Sequence, residues 1–148
     1  MDHSSSPRNI DLLLARYAES HRNHTNEIIH FVCIPLIVLS LLGILWAIHP
    51  VAAIAATLAS LYYYTKLSRG FAIGMGVMSA VMLGLLSLMP DMTVLPLSIA
   101  IFVVAWIGQF VGHKIEGKKP SFFEDLRFLL IGPLFVLSFL YRRLNFAY

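Results

Sequence analysis

Four apolar runs joined by very short turns constrain this chain more than any other feature. The runs cover residues 28–48, 51–65, 71–89 and 93–112, and the turns between them contain only residues 49–50, 66–70 and 90–92. At a helical rise of about 1.5 Å per residue, the first, third and fourth runs reach roughly 28 to 32 Å, enough to cross the hydrocarbon core of a bilayer. The second reaches only about 22 Å and needs flanking residues to cross. The short turns require that neighbouring helices be antiparallel.

The composition agrees with a lipid environment. Of the 148 residues, 58% are hydrophobic and only 13% are charged, whereas a soluble domain carries about 25% charged residues. A chain of this size has too much surface to hide so many apolar side chains in water, which excludes a soluble globular fold. The single Cys33 excludes a disulfide framework and a thiolate metal site, because both need at least two sulfurs.

The sequence therefore predicts an all-α integral membrane helical bundle with four spans. Residues 1–7 are expected to form a mobile tail, and residues 8–148 a single membrane-embedded catalytic domain. Ser6 as N-cap and Pro7 at the first helical position predict the start of an N-terminal amphipathic helix. Its apolar stripe would face either the membrane surface or the rest of the fold; it consists of Ile10, Leu13, Leu14 and Tyr17.

The C-terminal part leaves two alternatives open. Residues 121–124 have the Ser-x-x-Glu form of a capping box, which predicts a helix start. The apolar run that follows, residues 128–141, is short and contains Gly132-Pro133, which should kink a helix. We expect a short re-entrant or interfacial helix, because a kinked fifth span would place Arg142 and Arg143 on the outer side.

The basic residues predict the orientation. Apart from Arg142 and Arg143 after the last apolar run, the other nine of the eleven Lys and Arg residues precede the first run, lie between the second and third, or lie just after the fourth. By the positive-inside rule these three regions are cytoplasmic. The chain would then lie in a bacterial inner membrane, or in the endoplasmic reticulum membrane of a eukaryote, with its membrane lipids as neighbours.

This topology brings three distant histidines to one depth. His21 and His30 lie at the cytoplasmic mouth of the first run, and His113 lies just past the cytoplasmic end of the fourth. Neutral imidazoles at a membrane boundary are good ligands for zinc, copper, iron or nickel. His21 and His30 are nine residues apart, so they can converge only if the helix breaks between them.

Several polar residues accompany these histidines at helical spacing. Asn26 precedes His30 by four residues, Gln109 precedes His113 by four, and Glu116 follows it by three. We expect these three side chains to orient the imidazoles from behind. Asn23, Thr25 and Asn26 are all suitable N-caps for a helix that restarts after His21.

The same residues form two motifs that resemble a known family. Tyr17-x3-His21-x4-Asn26-x3-His30-x4-Pro35 and Trp106-x2-Gln109-Phe110-x-Gly112-His113-x2-Glu116-x3-Pro120 are similar to the signature of the ferrous-iron-dependent 2-hydroxy fatty acid dioxygenases. Fungal members of that family act in fatty acid alpha-oxidation in the endoplasmic reticulum. The resemblance extends over residues 17–141.

The resemblance implies an iron enzyme that uses O2 to shorten a long-chain 2-hydroxy fatty acid by one carbon. It implies Fe2+ as cofactor and His21, His30 and His113 as metal ligands and catalytic residues. Fungal members have a second histidine directly after the first, where this chain has Arg22; His24 is the candidate replacement as fourth ligand. Basic residues near this site would attract the substrate carboxylate; they are Arg22, Lys114 and Lys118.

Two other classes of function compete with this reading. A small membrane scaffold or carrier is one, although a carrier predicts polar groups at the bilayer midplane, where the runs offer only scattered serines. A His-site membrane lipid hydroxylase is the other, but di-iron enzymes of that kind need about eight histidines and this chain has six. We expect no nucleic-acid binding, since no basic face with interleaved aromatics lies outside the runs. The sequence leaves oligomerisation open.

Overall fold

The computed structural model describes residues 7–118 and 128–148. This part of the chain contains six α-helices and no β-strand. They are α1 (Asn9–Ala18), α2 (His24–Ile48), α3 (Pro50–Leu67), α4 (Arg69–Leu88), α5 (Asp91–Glu116) and α6 (Ile131–Arg143). The all-α prediction is therefore confirmed, and each of the four apolar runs forms one helix.

Among the described residues, three helices are candidate membrane spans, which corrects the expectation of four. α2, α4 and α5 are long and apolar enough to cross a membrane. α3 has 18 residues, but its second half contains Tyr62-Tyr63-Tyr64 and Lys66, which lower its mean hydropathy. Sequence reasoning treated this tyrosine-rich stretch as part of an apolar run.

Helix α1 covers part of the bundle. It begins at Asn9, two residues later than expected, with Arg8 in the N-cap position; Ser6 lies outside the described residues. Ile10, Leu14 and Tyr17 are buried in a core that they share with α6. Of the two alternatives for the apolar stripe, the structure thus supports contact with the rest of the fold.

The pairing of α2 with α5 is the closest in the fold and positions the candidate site. Gly108 lies against Cys33, and Gly112 lies against Asn26 and the ring of His30, so close that a Cβ at either glycine would collide with its neighbour. Small residues at such a four-residue spacing let two apolar helices approach closely. The start of α2 and the end of α5 are consequently held together at one end of the bundle.

The described C-terminal segment is short. α6 has 13 residues and packs against α1, α2 and α4. Pro133 is its third residue, a position in the first turn where the missing N–H costs no helical hydrogen bond, so the expected kink inside a longer helix does not form there. The expected capping box at residues 121–124 lies outside the described residues.

Candidate metal centre

Three buried imidazole rings meet at the end of the bundle where α2 begins and α5 ends. The ring centroids are 4.3 Å apart for His21 and His30, 5.0 Å for His30 and His113, and 5.9 Å for His21 and His113. All three side chains are at most 7% exposed. The structure thus brings together the three histidines singled out in the sequence, although His113 is separated from the others by more than 80 residues.

A break between α1 and α2 makes this convergence possible. α1 ends at Ala18, and α2 begins at His24 after a turn that contains His21. The side chain of Asn23 caps α2 by accepting hydrogen bonds from the backbone N–H groups of Thr25 and Asn26, at 2.9 and 3.3 Å. The predicted break is confirmed, and Asn23 is the N-cap among the three candidates.

Backbone carbonyls orient two of the imidazoles. His21 Nδ1 lies 2.8 Å from the carbonyl oxygen of Tyr17, and His30 Nδ1 lies 2.9 Å from that of Asn26. A carbonyl oxygen can only accept, so in each ring Nδ1 carries the proton and donates it. In a neutral imidazole this leaves the lone pair on Nε2, the form in which histidine binds a metal.

Glu116 fixes the turn that carries His21. Its carboxylate accepts hydrogen bonds from the backbone N–H groups of Arg22 and Asn23, at 2.9 and 2.8 Å, and from the side-chain amide of Asn26 at 3.0 Å. Asn26 also donates to the carbonyl oxygen of Ser20. Glu116 and the Asn26 side chain therefore hold the backbone around the histidines, whereas the backbone of Asn26, not its side chain, contacts the His30 ring nitrogen.

Aromatic side chains close the site on one side. The ring of Tyr17 stacks on His21 with centroids 4.2 Å apart and planes 8° from parallel. Phe135 of α6 lies 5.5 Å from the His21 ring and 4.9 Å from the Tyr17 ring. In the sequence, Tyr17 is notable only as a member of the α1 apolar stripe and of the first motif. Nothing in the local pattern indicates Phe135, because the role of Phe135 depends on how α6 packs.

A narrow cleft lies beside Tyr17, the residue that stacks on His21. Tyr17, Trp106, Gln109 and Gly132 contribute to its lining. Gln109 is buried, and its side-chain oxygen has no hydrogen-bond partner among the described residues. Buried amide groups normally have a partner, so this oxygen is suited to accept a hydrogen bond from a ligand in the cleft.

The remaining predicted site residues lie at the rim. Arg22, His24, Lys114 and Lys118 are all exposed. The rings of His21, His30 and His113 contact one another. His24 is the first residue of α2 and lies outside this cluster. The three basic side chains surround the end of the bundle at which the histidines meet.

The chemistry of the donor set suits a transition metal. The cluster offers imidazole nitrogens in a buried setting, and hydrogen bonds to backbone carbonyls fix the ligand tautomer of two of them, as is usual behind metal-binding histidines. In the described part of the chain, no group of three or more His, Cys, Asp or Glu side chains has an arrangement that would hold a metal ion as it stands. The rings are therefore close neighbours that a metal would still have to draw together.

Comparison with known proteins points to one family. A family model described as "2-hydroxy-palmitic acid dioxygenase Mpo1-like" matches residues 8–144. The chain is 28% identical over 137 residues to the 2-hydroxy-palmitic acid dioxygenase MPO1 of Saccharomyces cerevisiae, a match that covers 87% of this chain and 78% of the yeast protein. No solved structure matches the chain.

Proposed function

Because the chain belongs to the Mpo1-like family, we propose that it is an iron(II)-dependent membrane dioxygenase that shortens long-chain 2-hydroxy fatty acids by one carbon. The observation that carries the proposal is the buried cluster of His21, His30 and His113, because these are the histidines of the family motifs. The yeast relative acts on 2-hydroxypalmitic acid according to its name. We extend the same substrate class to this chain.

The overall reaction balances without any further reactant. A 2-hydroxy acid and O2 give the acid one carbon shorter, carbon dioxide and water. The carbon–carbon bond next to the carboxylate breaks, the acid loses four electrons, and O2 takes up the same four. The proposed reaction therefore needs no nicotinamide, flavin or other electron donor.

Iron would supply the redox chemistry with O2 that no amino-acid side chain provides. His21, His30 and His113 would hold it, with His24 as the candidate fourth ligand from the rim. The backbone carbonyls of Tyr17 and Asn26 would keep the rings of His21 and His30 in the metal-binding tautomer.

The protein's own residues would position the substrate. Gln109 would accept a hydrogen bond from the 2-hydroxyl group in the cleft, which would distinguish a 2-hydroxy acid from a plain fatty acid. Such discrimination is strong when a buried polar group would otherwise stay unpaired. The exposed cations Arg22, Lys114 and Lys118 would attract the carboxylate to this end of the bundle.

The side of the membrane on which the site lies is also part of the proposal. Arg16, Arg22, Lys114 and Lys118 all lie near the end of the bundle that carries the histidines. By the positive-inside rule we assign this end to the cytoplasm and the protein to a bacterial inner membrane. A 2-hydroxy fatty acid dissolved in the bilayer would rest with its carboxylate at this depth.

The activity is tested with purified protein in detergent, reconstituted with Fe2+. We expect O2 and 2-hydroxypalmitate to be consumed in a one-to-one ratio, with formation of the fifteen-carbon acid and no added electron donor. Palmitate serves as the matched control and should stay unchanged, since it lacks the hydroxyl group. Strict dependence on a reductant, or equal turnover of palmitate, would assign the protein to the lipid hydroxylases instead.

A further inference from the structure

A second, larger cavity lies deeper in the bundle, away from the histidine cluster. It has a volume of about 310 Å³ and lies between α2, α3, α4 and the start of α6. This volume falls within the range of pockets that bind small ligands, about 300–1,000 Å³. Among the residues that line it are Leu41 and Leu45 of α2, Ala56 and Ser60 of α3, Met75 of α4, and Leu129.

Four hydroxyl side chains line this cavity, the fourth being Ser79, and three of them are already used within the protein. Thr57 and Ser60 donate their hydroxyl protons to backbone carbonyls of their own helix at 2.9 Å, and Tyr64 donates to the carbonyl oxygen of Leu130 at 2.8 Å. No Asp, Glu, Lys, Arg or His is among its described lining residues. A polar occupant would lose its hydrogen bonds to water without replacement, so the cavity suits a hydrocarbon chain.

The cavity adjoins the histidine site through one shared residue. Leu129 lines both the cavity and the narrow cleft beside Tyr17 and Gln109. The directions of the helices show which end of the cavity is nearer the cleft. Tyr64 and Leu130 lie at the near end, and Leu45 and Ala56 lie farther away. Along α2, the distance from His30 to Leu45 is roughly 22 Å at 1.5 Å per residue, more than the roughly 15 Å depth of one bilayer leaflet.

We propose that this cavity holds the acyl tail of the substrate and that Ala56, at its far end, sets the longest chain accepted. The inference rests on the proposed function, since it assumes that the head of the same molecule lies at the histidines. The tail of an acid dissolved in the bilayer is already out of water, so the cavity would select by its length rather than by burial of methylenes. A bulky side chain at the far end would exclude the last carbons of a long tail and keep its head from reaching the histidines, whereas a short tail would still fit.

The first test measures chain-length preference. Ala56→Phe should lower kcat/KM for 2-hydroxypalmitate at least 10-fold, about the discrimination that an apolar pocket shows against a substrate one methylene too long, and leave 2-hydroxyoctanoate within about 2-fold of wild type. Ala59→Phe is the matched control, because Ala59 is exposed on the same helix, and it should leave both substrates unchanged. Equal losses for both substrates in Ala56→Phe, at wild-type iron content and helicity, would overturn the proposal. If Ala56→Phe does not fold, Ser60→Leu narrows the same cavity and is judged in the same way.

The second test does not depend on turnover. Palmitate with a photoreactive diazirine at its terminal carbon is bound to the purified full chain, and the labelled residues are identified by mass spectrometry. We expect labels on the cavity-lining residues of α2 and α3, lost in Ala56→Phe and kept in Ala59→Phe. Labels spread over the exposed faces of the helices, or displaced when detergent is replaced by phosphatidylcholine nanodiscs, would assign the cavity to bulk lipid and overturn the proposal. If the wild type shortens no 2-hydroxy acid, the proposed reaction is wrong, and the labelling still decides whether the cavity binds an acyl tail.

Discussion

Replacing Gly112 with alanine tests how tightly the histidine site is built between α2 and α5. A Cβ at this position would lie closer than 3.0 Å to the Asn26 side-chain oxygen and 3.2 to 3.3 Å from two ring atoms of His30. Contacts this short force the neighbours to move by a few tenths of an ångström or more. Asn26 cannot simply turn away, because its amide nitrogen is hydrogen-bonded to Ser20 and Glu116 and the residue is fully buried.

The expected cost follows from this geometry. Overfilling a well-packed site lowers the free energy of unfolding by about 1–3 kcal/mol. Displacing the residue whose carbonyl orients His30 should lower iron affinity about 10- to 100-fold. Turnover should fall by up to about 100-fold, the loss that a misplacement of about 1 Å can cause. Gly112→Ala should therefore lose more function than stability.

The assay combines iron content, O2 consumption with 2-hydroxypalmitate, and thermal unfolding followed by circular dichroism. Gly84→Ala is the control, because a Cβ there meets nothing within 4 Å. That substitution should keep activity and raise stability by about 0.5–1 kcal/mol, since alanine is the better helix former. Wild-type iron content and turnover in Gly112→Ala would refute the close packing of α2 against α5 at this site.

Substitutions at three further residues probe the support of the site. Glu116→Gln should lower the free energy of unfolding by about 1–2 kcal/mol and the iron affinity about 10-fold, because the carboxylate that accepts from the backbone N–H groups of Arg22 and Asn23 is lost. The iron affinity is measured by metal titration, and an unchanged affinity would contradict this role of Glu116. Asn23→Ala should cost about 0.5–2 kcal/mol through loss of the α2 cap, whereas Asn23→Asp should restore it in the same unfolding assay. Gln109→Met should raise KM for 2-hydroxypalmitate at unchanged iron content, and an unchanged KM would remove Gln109 from substrate recognition.

The histidine cluster could be predicted because it depends only on the apolar runs, the lengths of the turns and the helical repeat. Short turns make successive helices antiparallel, and this alone brings His113, near the end of α5, to the same end of the bundle as His21 and His30. The helical repeat then requires a break between residues 21 and 30, and the structure has one. Neither step needs to know how any side chain packs.

The details of the site depend on packing and were not predictable. The sequence suggested that side chains orient the imidazoles, but backbone carbonyls four residues earlier do so for His21 and His30, since this depends on the side-chain rotamer. The stacking of Tyr17 on His21 requires the turn after α1 to fold back. Its contact with Phe135 requires α6 to pack beside it.

The number of spans was mispredicted for a different physical reason. Tyrosine counts as apolar in a pattern of apolar and polar residues, but its hydroxyl group makes its transfer into hydrocarbon costly. The apolar pattern therefore predicts α3 as a short span. In the structure Tyr64 is buried within the protein, where its hydroxyl group bonds to Leu130.

The most direct test of the account is the iron content of histidine variants, measured by elemental analysis after reconstitution with Fe2+ and removal of free metal. Wild-type protein should hold one iron per chain, and His113→Ala should hold far less, because losing one of three ligands lowers affinity sharply. His49→Asn is the control, since His49 is exposed and caps α3, a role that asparagine can take over; it should keep the full iron content. Stoichiometric iron in His113→Ala, or equal loss in His49→Asn, would contradict a metal centre formed by His21, His30 and His113.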